Sequence, residues 1–208
     1  MLFAVRKLPD DYEDRLRLKL LPERIRANLS FAGLVLIVYE MAKQAVVEDV
    51  RGFYCRGFDE SGMLYDEEAY ARDVKSLDKS VYRASYKWLV KSGAITDEQT
   101  EVLERLHVHR KDVAHELTKY LIDPEHDPDA ELFLEALKVL SAIRKYWTQI
   151  EIDIGMFEAH GDVTVDDVQP LSLACLGLFI EAVGQGLTQA EEAEQREQKD
   201  DRVESTNG

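Results

Sequence analysis

The chain has 208 residues, 45% of them hydrophobic and 32% charged, with 11 Gly and 5 Pro. That is enough apolar material for one ordinary core, and it excludes collagen-like, low-complexity and wholly disordered chains. Lys and Arg number 26 against 41 Asp and Glu, a formal charge of −15, so the global field repels nucleic acid and anionic membranes, and such a partner must be held by a local patch.

Met1 to Pro9 joins Arg6 and Lys7 to an apolar stretch too short for a signal peptide, which predicts a cytoplasmic protein. Asp10 and Asp11 are placed to cap a first helix, and Pro22 opens a long second one, about Glu23 to Arg51, with Ile25, Leu29, Leu36, Met41 and Val47 among its apolar positions. Its most apolar run, Leu29 to Tyr39, is closed by Glu40 and Lys43, well short of the roughly 20 residues that span a bilayer. A core helix is expected, with Tyr39 inside. Glu40 is either a carboxylate needing a partner such as an active-site arginine, or an acid on the exposed edge.

Gly52, Gly57 and Gly62 among Asp, Glu and Ser predict a surface loop over about 52–66, with room for a small hairpin. Helical spacing returns from Glu67 to about Ser92 through Val74, Leu77, Val81, Trp88 and Leu89, and Gly93 is a good terminator. Thr96 and Gln99 have the spacing of a capping box, opening a helix to about Leu121 with Val102, Leu106, Val113, Leu117 and Tyr120 as its buried stripe. Asp127 can cap the next, about Pro128 to Ile152, whose core face carries Leu132, Leu137, Leu140, Ile143 and Trp147. A polar loop, about 155–169, precedes the apolar stretch Leu171 to Leu187, expected as a buried or interface helix because Glu181, Gln185 and three glycines interrupt it. Residues 191–208 hold seven acidic and three basic residues and no core-forming cluster, so a disordered acidic tail follows a single domain over 1–190. Strand signals are scarce, no internal repeat of fixed period is present, and the fold class is all-α.

The densest chemistry lies between Glu104 and Leu117. Arg105, His107, His109, Arg110, Lys111 and His115 form a basic island in an acidic chain, the evident place to hold a polyanion such as RNA. Arg110 and His115 are five positions apart, an offset of about 140° around a helix. A guanidinium binds two phosphate oxygens at once, and an imidazole accepts or donates a proton near neutrality. Asp112, three residues before His115, is placed to orient its ring. His107 and His109 lie about 200° apart and cannot share a metal from one intact helix, and His126 and His160 have no ligand spacing. Cys55 and Cys175 form no Cys-x-x-Cys pair and read as buried thiols of a reducing compartment.

Arg110-Lys111-Asp112-Val113-Ala114-His115 resembles the arginine, four-to-six residues, histidine signature of HEPN domains, and the apolar early helix, Trp88-Leu89-Val90 and His115-Glu116-Leu117 agree with that setting. The resemblance covers about Leu21 to Ile152 and implies an antiparallel helical bundle that dimerises. It further implies a metal-independent endoribonuclease of a defence or toxin–antitoxin system, with no cofactor. Arg110 and His115 of two protomers would meet in a shared cleft, supported by Lys111, Asp112 and Glu40. An RNA 2′-hydroxyl, such as one in a structured transfer RNA loop, would attack the adjacent phosphate, leaving a 2′,3′-cyclic phosphate and a 5′-hydroxyl. Lys111 stands where the family often has a small polar residue. Leu117 stands where some members carry a tyrosine modified by an antitoxin partner. A non-catalytic helical interaction module in a defence or regulatory complex is the alternative, and a nucleotide sensor is a weaker third reading for want of a glycine-rich phosphate loop.

Overall fold

The computed structural model describes residues 9, 11–60 and 62–206; the leader reading of Met1 to Leu8 and the capping role of Asp10 lie outside them. The described chain is mostly helical with one two-stranded sheet, in keeping with an all-α class. Helix α1 spans Tyr12–Lys19 and α2 spans Pro22–Lys43, with Pro22 at the first helical position, where its missing N–H costs nothing. A π-helical turn, Gln44–Glu48, follows, and α3, Asp49–Gly52, ends the rod. The Trp147 indole donates to the Ala45 carbonyl in the widened turn, at 3.2 Å. Such turns recur where a side chain enters the helical ladder.

The buried set of α2 consists of Ala27, Asn28, Ala32, Leu34, Val35, Val38, Tyr39 and Ala42. It is not the expected set: Ile25, Leu36, Met41 and Val47 are half-buried, and Leu29 is exposed. The run is apolar on every side, so hydrophobicity alone does not choose a face. The small alanines take the side of closest approach.

Strands β1, Cys55–Asp59, and β2, Gly62–Tyr65, form the expected small hairpin, antiparallel with a register shift between Cys55 and Gly57. Asp66 caps α4, Glu67–Asp73, by accepting from the Ala69 N–H at 3.1 Å. A short 3₁₀ turn, Lys75–Leu77, separates it from α5, Val81–Lys91. The single helix expected here is therefore interrupted, because Asp78 accepts from the Ser80 N–H and offers the backbone a turn instead. After α5, Gly93 adopts φ +77°, and the Ala94 N–H reaches back to the Leu89 carbonyl, a left-handed cap that glycine permits.

Helix α6, Asp97–His115, opens with the predicted capping box: the Thr96 N–H donates to Gln99 Oε1 at 2.9 Å, and the Gln99 N–H donates to Thr96 Oγ1 at 3.3 Å. It stops at His115, and a separate α7 covers Leu117–Ile122. Helix α8, Ala130–Asp153, is capped by Asp129 and not by Asp127. The loop after it contains two 3₁₀ turns. Helix α9, Leu171–Thr206, continues through the segment expected to be a disordered tail.

The chain expected as one domain divides into two compact units: Met1–Val35, Lys111–Pro128 and Leu176–Gly208 form the first, and Leu36–Arg110 with Asp129–Cys175 the second. In the first unit, Lys19 is buried and donates to the His126 carbonyl at 2.7 Å and to Asp127 at 2.5 Å. Asn28 donates to the Tyr120 carbonyl, and Glu194 and Glu197 of α9 pair with Arg24 and Arg17. In the second unit, Val38, Val46, Val50, Leu89, Leu103, Leu106, Leu140 and Ile143 form a core without solvent access. Trp88 and Trp147, expected in the core, stack at 6.1 Å, with Trp147 half-buried.

Among the described residues two helices are long and apolar enough to cross a membrane, the rod Pro22–Gly52 and Leu171–Lys199 within α9. The apolar window of the rod is 44% buried, and that of α9 only 6%. Of the two roles foreseen for α9, burial is not what the structure contains: Leu171, Leu178 and Phe179 face outward.

Candidate functional site

Within the second unit, α2 and α6 bring Glu40, Tyr39, His107 and Arg110 together. Tyr39 and Glu40 are neighbours on α2; His107 and Arg110 are three apart on α6 and so share a face. The Arg110 guanidinium pairs with Glu40 at 3.0 Å and lies 4.9 Å from the centre of the Tyr39 ring. Glu40 thus has the arginine partner that one reading foresaw, although half of its side chain is exposed, as the other did; Lys43 pairs with it too, at 3.6 Å. It also lines an open depression of about 510 Å³ with Leu36, Ile37, Met41 and Glu48.

The Tyr39 hydroxyl is hydrogen-bonded to His107 Nδ1 at 2.7 Å, and the His107 ring stacks on Tyr82. Burial pushes the Tyr82 phenol far above its usual range, and its hydroxyl has no hydrogen-bond partner among the described residues. Burial, then the Glu104 carboxylate, pushes Tyr86 up to about 12. Arg83 grips Glu104 with two nitrogens, at 3.0 and 3.1 Å, and holds its carboxyl below the usual range. Sequence reading assigned no role to Tyr82, Tyr86, Arg83 or Glu104. Their only signal was the density of tyrosine in α5, and the pairing to α6 is tertiary.

The other island residues divide by unit. Arg105 pairs with Glu135 at 2.8 Å. His109 Nε2 accepts from the Asp129 N–H at 3.1 Å, completing the cap of α8; an accepting ring nitrogen carries no proton. In the first unit, Asp112 accepts from Lys119 at 2.8 Å and from the Tyr120 hydroxyl, partners other than the His115 ring it was expected to orient. Lys111 and His115 are exposed and make no hydrogen bond or ion pair among the described residues.

The island therefore carries less free charge than its sequence suggests, since Arg105 and Arg110 are matched by carboxylates. What remains is a guanidinium held between a carboxylate and an aromatic face, with a half-exposed edge, and an open imidazole at the end of α6. Such groups can neutralise a phosphate and move a proton. Among the described residues no group of three or more His, Cys, Asp or Glu side chains could hold a metal ion. No family model, curated protein or solved structure matches this chain.

Proposed function

We propose that the protein is a metal-independent endoribonuclease of a bacterial defence or toxin–antitoxin system, a HEPN-like helical bundle acting in the cytoplasm as a homodimer. Arg110 neutralises the scissile phosphate, and His115 transfers the proton as the 2′-hydroxyl attacks and the P–O5′ bond breaks, leaving 2′,3′-cyclic phosphate and 5′-hydroxyl ends. The observation that carries this reading is the fixing of Arg110 by the Glu40 carboxylate and the Tyr39 ring, the pre-aimed cation that a phosphate site needs. Lys111 supplies an open cation beside it in sequence. The matched charge of Arg105 and the accepting, uncharged ring of His109 leave little for a long polyanion, which favours a short, structured target such as a transfer RNA loop.

Purified protein incubated with transfer RNA and a chelator is expected to yield 2′,3′-cyclic ends. Arg110→Gln and His115→Ala should each lower the rate by a factor of about 100 or more. Cleavage unchanged in either variant would remove that residue from the chemistry. A second reading, a non-catalytic module binding a protein partner of a defence complex, is favoured by the apolar face that α9 turns outward. It predicts no cleavage by the wild type.

A further inference from the structure

Ser141, Arg144, Lys145 and Thr148 recur along α8 at steps of three, one and three residues, which sets them on one stripe of the helix. A stripe turned toward neighbouring elements is ordinarily apolar; this one is polar. With Asp166, Gln169 and the start of α9, the four side chains line a cavity of about 270 Å³ within the second unit.

The polar groups there are only partly matched. Thr148 is 4% exposed, and neither its hydroxyl nor that of Ser141 makes a hydrogen bond among the described residues. The Arg144 side chain is 15% exposed and commits Nη1 to Asp49 at 2.7 Å. Its Nη2 has no acceptor among the described residues, and its Nε is buried without one. Lys145 is held only by Asp166, at 2.8 Å, in a pair open to solvent and easily exchanged. A buried donor without a partner, such as the Arg144 Nε, carries a desolvation cost that an acceptor reaching it would relieve.

We propose that this cavity binds the phosphate group of a small phosphorylated molecule. A guanidinium, an ammonium and two hydroxyls converge on it, more donors than the two oxygens of a carboxylate can use, and a phosphate monoester offers three terminal oxygens. The volume lies below the range that encloses drug-sized ligands, which limits the organic part to about the size of a sugar and excludes a polynucleotide. The overall charge of −15 is no obstacle, because charges beyond about 10 Å are screened at ordinary ionic strength. The site is independent of the nuclease reading.

The test is calorimetric titration of the full chain with ribose 5-phosphate, inorganic phosphate and ribose. Saturable binding of both phosphates and none of ribose is expected. Lys145→Ala, which leaves the Arg144–Asp49 pair in place, and Thr148→Val, which also keeps the local volume, should each weaken binding about tenfold or more while the unliganded melting temperature stays near that of the wild type. Binding of ribose as tight as that of its phosphate, no binding of either phosphate, or unchanged affinity in both variants would overturn the proposal.

Discussion

The Glu40 carboxylate holds Arg110 through one guanidinium nitrogen, so the contact that aims the cation also competes with any ligand oxygen for that nitrogen. Glu104 is held by more donors. Arg83 holds its carboxyl low by hydrogen bonding, helped by Tyr86, against the opposing effect of burial. A carboxyl lowered in the folded state contributes stability that is fully present above its unfolded value, about 4.3, and is lost as pH falls through the lower native one. Glu104→Gln is therefore expected to cost about 1 kcal/mol at pH 7, modest because Arg83 is half-exposed, and less at pH 3. Urea midpoints of both proteins at the two pH values check this. A gap that does not narrow in acid would assign the cost to packing.

At the scale of elements, the capping box and the glycine stop were legible. The cap of α8 lies two residues past the expected Asp127, and the faces of α6 and α8 were legible where that of α2 was not. The box at Thr96 and Gln99, the stop at Gly93 and the turn-rich hairpin are local chemistry, written within a few residues of where they act. The face of α2, the break between α6 and α7 at Glu116 and the division into two units depend on contacts between distant segments. The candidate site divides in the same way: a partner for Glu40 could be expected from the cost of a carboxylate in an apolar run, whereas the Tyr39–His107 bond joins helices far apart in sequence. Caps give a clean test. Thr96→Ala and Asp129→Ala open different helices and should each cost about 1 kcal/mol, adding within about 0.5 kcal/mol in the double variant, as read from thermal unfolding. Marked non-additivity would mean that the two helix starts are coupled.

At the scale of the whole molecule, α9 carries a contradiction. Its acidic half is tied to α1 and α2 by Arg17 and Arg24, while its apolar half turns Leu178 and Phe179 outward. If that face joins two copies, as the proposed dimer requires of some surface, Leu178→Asp with Phe179→Asp should convert a dimer to a monomer in sedimentation velocity without loss of helical signal. Variants that sediment like the wild type would put the contact elsewhere. The hairpin has a different consequence. A sheet of two strands has both outer edges open, and each presents a row of amide groups on which another chain's strand can grow. Phe58 and Met63, paired across it and exposed at 76% and 56%, would give such a stack an apolar side. The kink between Cys55 and Gly57 and the charges of Arg56 and Asp59 blunt those edges, so a few residues at one tip guard the concentrated protein against zippering into fibres.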